Sequence, residues 1–250
     1  YQGLTYRIAG TLNPKVKDSK KTDHLIIRTV KGKDEPTYFI PVTKYRFNSN
    51  IYFRFGSGTY TVDVAVSENA KVHRDYFRFF TAAQFKVTVQ GIQDVRDLLP
   101  SRGVNSNDVR IIRLANKLTQ DKRTDTEKAR SIYMYVARTM RYDVLKLELN
   151  TFLWNDSSLK ALETKKGVCQ DYVFLSLALL RAAGIPSRFV EGVVNGQAHA
   201  WVESYIKKRW LVMDPTWGSG YITKGEFIKQ YNNFYFNPPI SEFQNTHTRK

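Results

Sequence analysis

Cysteine occurs once in 250 residues, at position 169. A lone thiol cannot close an internal disulfide, and it cannot supply a paired-cysteine zinc site. Long apolar runs are also missing: none approaches the ~20 residues a helix needs to cross a bilayer, so no transmembrane segment is expected. Zinc-finger spacing, an RNP motif and a basic heptad region are absent as well, and nucleic acid is not expected as a partner. There is no internal repeat and no low-complexity run. The opening stretch YQGLTYRIAG has neither a basic leader nor an apolar segment, so it does not read as a signal peptide. Without an initiating Met, the chain is expected to be a processed one from which any export signal or anchor has been removed.

What the chain does hold is a basic surplus and many aromatic rings. The net charge is +16, from 39 basic and 23 acidic residues. Lys and Arg are scattered, apart from PKVKDSKK at 14–21 and the tail HTRK. Such a surface favours anionic partners, and an anionic cell-envelope polymer fits it. Hydrophobic residues make up 42%, an ordinary share for a globular protein, and fifteen Tyr, fifteen Phe and four Trp suggest β structure with large buried side chains.

Residues 1–90 read as short strands. LTYRIAG alternates, HLIIRTV, TYFIPV and FKVTVQGI are further candidates, and NIYFRFGSGTYTVDVAVSEN looks like a hairpin about its GSG turn. A small β-sandwich-like accessory domain of immunoglobulin type is expected, with no catalytic groups. Its histidines, His24 and His73, stand in polar contexts that suggest exposure. GIQDVRDLLPSRGVNSND (91–108) reads as a linker. Beyond it the period becomes helical: Ile111, Leu114, Ala115 and Leu118 mark one helix. The T-x-x-E box at Thr124 and Glu127 opens another, with Ala129, Ile132, Tyr133, Val136 and Met140 as its apolar stripe. The stretch from Val144 to Lys166 reads as irregular, except for a short helix near Ser158–Thr164.

Cys169 precedes Val173, Phe174, Leu177, Ala178 and Leu180, the pattern of a helix buried on one side, which Gly184 and Pro186 close. The thiol thus falls in a helix's first turn, where free amides and the helix dipole favour a thiolate. The competing reading is a small buried core residue. A nucleophile needs a base, and the base an orienter. His199 lies near the start of a predicted strand in GQAHAWVESYI, and Asp214 near the end of a second in RWLVMDPTW; YIKKRW joins them as a hairpin, which places the two side by side. Singly, each has a structural explanation: a satisfied strand histidine, and a turn residue before Pro215.

Taken together, KKGVCQDYVFLSLALLRAAGIPSRFVEG, HAWVE and RWLVMDPTW resemble the core of the transglutaminase-like superfamily, bacterial branch. TDTEKARSIYMYVARTMRYD resembles the preceding helix with its aromatic–Asp ending. The resemblance spans roughly residues 104–220 and implies an α+β fold, with a papain-like core at 109–250 in which the cysteine's helix packs on an antiparallel sheet. It implies Cys169 as nucleophile, His199 as base and Asp214 as orienter; the sequence itself shows no cofactor motif and no metal-ligand set. The Cys169 amide is the natural first oxyanion donor; an upstream aromatic or polar side chain would be the second. Trp201 and Trp217 either wall the substrate cleft or pack in the core. The implied chemistry is acyl transfer from amides of a protein or peptide, ending in transamidation or hydrolysis. The alternative is a non-catalytic cell-surface module with a basic binding face. A deglycosylating amidase would need paired cysteines that are not here. The basic charge, the spacer-like first domain and the family's frequent export point to an extracellular or cell-surface location.

Overall fold

A computed structural model describes residues 3–13, 15, 22–67 and 79–250. His73 and most of the basic run 14–21 lie outside the described residues. The fold is α+β, with two compact units: one of residues 1–102 together with Phe152–Asn155, the other of 103–151 and 156–250.

The first unit is built from β1 (Thr5–Thr11), β2 (His24–Val30), β3 (Thr37–Pro41), β4 (Arg46–Tyr52), β5 (Gly58–Ser67) and β6 (Phe79–Val89). β3-β2-β5-β6 form an antiparallel sheet, and β1 pairs with β4 in a second one. Tyr60, Val62, Val64 and Val66 alternate inward along β5 and meet Leu25, Ile27, Ile51 and Phe53 in one core.

The expected hairpin at the GSG turn is not formed. β4 and β5 belong to different sheets, and the chain crosses between them at 53–57. Tyr60 fixes this crossing: its hydroxyl accepts from the Phe55 amide at 3.1 Å and donates to the Gly56 carbonyl at 2.7 Å. His24 is also not exposed. Its ring is fully buried, stacked on Trp154 with 4.1 Å between centroids and tilted against Phe39. Residues 92–99 bond back into this unit. Ser57 N–H donates to Ile92 O, Val95 N–H to Arg54 O, and Arg96 reaches both Asp34 and Asp94.

The second unit opens with α1 (Val109–Thr119) and α2 (Asp125–Thr139). Thr124 caps α2, its hydroxyl accepting from Glu127 N–H while the Glu127 carboxylate accepts from Thr124 N–H. The stretch after α2 is more ordered than the sequence suggests. It holds β7 (Arg141–Tyr142), α3 (Val144–Glu148), α4 (Ser158–Thr164) and β8 (Lys166–Gly167) before α5 (Cys169–Ala182).

α5 is buried on every side rather than one. All side chains from Asp171 to Arg181 are inside, because α1, α2 and α4 cover it along with β9 (Ser187–Val194) and β10 (Gln197–Ile206). Leucine and alanine around the whole circumference are what a central helix requires. The sheet runs β11-β10-β9-β14, with β11 at Arg209–Met213 and β14 at His247–Arg249. A short hairpin of β12 (Gly220–Thr223) and β13 (Glu226–Lys229) and the helix α6 (Ile240–Gln244) complete the unit.

Candidate active site

Cys169 is delivered by a locked turn. β8 pairs in parallel with β7, which sets Tyr142 opposite Gly167, two residues before the thiol. Val168, the residue before α5, has no side-chain acceptor for the helix amides. Instead Asp171 in the first turn reaches back, its Oδ2 accepting from Val168 N–H at 2.8 Å. That carboxylate also takes Lys146 Nζ at 2.8 Å, and Lys146 bridges on to buried Asp156 at 2.8 Å. Burial works against the Lys146 charge, but the two carboxylates outweigh it and raise its pKa. Cys169 itself is half-buried. Its N–H opens the helix and has no acceptor within it.

His199 and Asp214 arrive from neighbouring strands. β10 and β11 pair antiparallel with Val202 opposite Met213, so Asp214 leaves β11 alongside the start of β10. His199 Nε2 donates to Asp214 Oδ2 at 2.7 Å. Asp214 is fully buried, and its other oxygen accepts the Thr216 and Trp217 amides at 2.9 and 3.1 Å. Burial favours the neutral carboxyl, but the histidine charges and hydrogen bonds win and hold Asp214 well below the ordinary carboxylate range. For His199 burial again opposes the charge. Asp214 and then Cys169 override it and push the imidazole up from 6.5 to about 10. With Nε2 committed to Asp214, the nitrogen free to handle protons at the thiol is Nδ1.

Two residues that the sequence left unassigned complete this arrangement. Tyr142, opposite Gly167 on the paired strands and lining the cleft with His199, has its phenol pKa raised chiefly by burial and further by Cys169 and Asp214, so its hydroxyl keeps its proton. The aromatic–Asp ending of the helix was its only signal. His247, which read as part of a basic tail, is fully buried on β14, and its Nε2 lies 3.1 Å from Asp214 Oδ2. Its position depends on β14 pairing with β9, a long-range contact that no local pattern announces.

The two tryptophans separate. Trp201 is buried with Val190, Val212 and Phe243 behind His199. Trp217 lines a cleft of about 940 Å³ whose wall also includes His199, Tyr142, Tyr221, Phe227 and Tyr235. Among the described residues no Asp, Glu, Lys or Arg lines the cleft, and the polar groups beside the rings are Asn195, Gln197, Thr216, Gln230 and Asn232. His199, Asp214 and His247 are donors of metal-ligand type within 4.8 Å of one another. Both ring nitrogens, however, sit at hydrogen-bond length from one carboxylate oxygen, which proton bridges explain.

Cys169 in the first turn of α5, with the His199 imidazole on the neighbouring sheet held by the buried Asp214 carboxylate, is an arrangement suited to thiol chemistry. Residues 112–215 match the model of the Transglutaminase-like superfamily. The kyphoscoliosis peptidase of Mus musculus is 30% identical over 138 residues, covering 49% of this chain and 21% of the relative. A protein-glutamine gamma-glutamyltransferase of Pseudomonas aeruginosa is 37% identical over 70 residues, covering 22% of this chain and 10% of the relative. The crystal structure of the periplasmic domain of TgpA, also from Pseudomonas aeruginosa, aligns with a TM-score of 0.37 at 15% identity, over 86% of this chain and 88% of that one. The chain spans about a fifth of the length of the first curated relatives it matches.

Proposed function

We propose that the chain is a cysteine acyltransferase acting on amide carbonyls of a peptide or protein. The observation that carries this reading is the His199 imidazole, which lines an aromatic cleft, is held by the buried Asp214 carboxylate and is influenced by Cys169 at the opening of α5. In the proposed cycle the Cys169 thiolate adds to the carbonyl carbon, and the C–S bond forms as the oxygen takes the negative charge. The Cys169 N–H and the Tyr142 hydroxyl are the donors suited to that oxygen. His199 Nδ1–H then protonates the leaving amine, the C–N bond breaks, and a thioester remains. Water or a second amine, deprotonated by His199, attacks the thioester; the C–S bond breaks and the thiolate returns. Asp214 holds the imidazole in the Nε2–H form and stabilises its cation during both halves.

The names of the relatives, a peptidase and a glutamyltransferase, support acyl transfer and leave both resolving nucleophiles in play. The experiment is a mass spectrum of a glutamine peptide incubated with the protein and a primary amine. Gain of the amine with loss of ammonia marks transamidation. Exchange of ammonia for water, or backbone cleavage, marks hydrolysis. An unchanged peptide across a panel of sequences removes the reading. The basic surface, at net charge +16, supports attachment to an anionic envelope polymer and with it an extracellular location. Co-sedimentation with such a polymer at rising salt tests this.

A further inference from the structure

Asp214 Oδ2 carries two imidazoles. His199 Nε2 approaches it at 2.7 Å and His247 Nε2 at 3.1 Å, and the two rings stand 5.7 Å apart at 64°. A carboxylate oxygen accepts only, so both nitrogens must carry hydrogen. His247's second nitrogen faces Thr246 Oγ1 at 2.7 Å, which gives the ring a partner at each end. Aromatic rings enclose the rest of it. Phe243 stacks on it at 3.8 Å, while Trp217 and Trp201 meet it edge-on at 5.0 and 5.4 Å. An apolar side chain would fill such a box as well, so packing does not explain a histidine there.

We propose that His247 is a positioning residue of the site: it pins Asp214 Oδ2 with a second N–H besides that of His199 and so holds the carboxylate in the plane that serves the base. Oδ1 is anchored by the Thr216 and Trp217 amides, and Oδ2 would otherwise have His199 alone. A carboxylate with one partner on that oxygen could follow the imidazole as it turns toward the leaving group. With a second donor it stays in place. His247 does not line the cleft, so it acts through Asp214 and not on substrate.

The fold is arranged to bring it there. β14 lies against β9 with His247 opposite Val194 and Arg249 opposite Gly192, while Gly192 is also opposite His199. A Cβ on Gly192 would fall 2.2 Å from the Thr248 carbonyl and 2.4 Å from the Trp201 ring, so the strand can approach this closely only over glycine.

The proposal rests on the acyl-transfer reading, and its test separates the two. Steady-state acyl transfer and the low-field imidazole N–H proton spectrum are measured on wild type, His247→Phe and His247→Gln. Phe keeps a ring in the aromatic box and removes the donor; Gln restores an N–H at a similar reach. The expected result is a kcat loss of about ten-fold in His247→Phe with KM unchanged, recovered to within about three-fold in His247→Gln, on the scale of one charge-assisted hydrogen bond. A folded His247→Phe with wild-type kcat overturns the proposal, and so does a Gln variant as impaired as Phe. Should His247→Phe fail to fold, or the wild type lack activity, the spectrum decides. Two low-field N–H resonances, one surviving in His199→Gln, are expected. A single resonance that vanishes in His199→Gln overturns the proposal, whereas absent acyl transfer with both resonances present would remove only the functional reading.

Discussion

His24 in the first unit and His199 in the second each set a ring nitrogen against an aspartate oxygen, at 2.5 and 2.7 Å. Their surroundings differ in every other respect. Asp23 is the residue before His24, and its side chain is 47% exposed. The ring it touches is packed between Trp154 and Phe39, and its Nε2 is buried without a partner among the described residues. Asp214 comes from another strand than His199, has no exposure and accepts four N–H groups. Beside His199 are a thiol and a cleft. The pair alone therefore does not make a reactive site. What distinguishes the second pair is a charge held in a dry, fully bonded setting and an imidazole nitrogen left free to face a nucleophile.

The sharpest way to break the comparison is to remove both rings. His199→Ala should slow acylation of Cys169 by roughly 10²- to 10⁴-fold, the usual scale of a general acid–base group. His24→Phe should leave that rate within about two-fold while lowering stability by about 1–3 kcal/mol, measured by urea unfolding, because it acts on packing only. Equal losses in the two variants would erase the distinction. Next in size is the carboxylate. Asp214→Asn presents a donor where His199 needs an acceptor and favours the wrong tautomer. In a serine-protease triad, on an unrelated fold, the equivalent change costs about 10⁴ in turnover. A thiol leans less on its base, so about ten- to a thousand-fold is expected here, with folding preserved. Asp23→Asn should change nothing in the same assay.

A smaller effect is the pH dependence of stability. Folded His199 keeps its proton up to about pH 10, whereas the unfolded imidazole releases it near 6.5. Between those values the folded state binds more protons, so unfolding free energy falls as pH rises. The contribution is complete below 6.5 and gone above about 10. Asp214 has the opposite sense: its depressed pKa stabilises the fold above the ordinary 3.8, and this is lost as pH falls. Urea midpoints from pH 6 to 10 should decline in wild type, at most by about 1.4 kcal/mol per pH unit. The decline should flatten in His199→Gln and persist in His24→Phe.

How far the sequence shows these features follows the range of the contacts. The capping box at Thr124, the short helix at Ser158–Thr164 and the helix opening at Cys169 are local patterns, and each stands at those residues in the structure. His199 and Asp214 were legible because one short hairpin joins their strands. The crossing at 53–57 was not, since a glycine-rich turn between two alternating strands looks the same whether they pair or change sheets. Nor was the burial of His24, which depends on Trp154, 130 positions away in the sequence. His247 was hidden for the same reason: a histidine among basic tail residues carries no sign of the strand it joins.

The smallest effect concerns the two units. A fragment of residues 103–250 is expected to fold, by circular dichroism, and to keep its Cys169 acylation rate within about three-fold, because every group placed at the site lies in the second unit. Trp154 would lose its partners His24 and Phe39, so Trp154→Ser should improve the fragment's solubility without changing the rate. An unfolded fragment would mean that the first unit is needed for the second.

The central claim is that Cys169 carries the acyl group because His199 and Asp214 serve it. The most direct measurement treats the folded protein with an activated acyl ester and follows adduct formation by mass spectrometry of the peptide containing Cys169. The account predicts one acyl group on that peptide, labile to hydroxylamine, absent in Cys169→Ala and formed far more slowly in His199→Ala. A folded wild type that acquires no acyl group on Cys169, or acquires it as slowly as His199→Ala does, would contradict it.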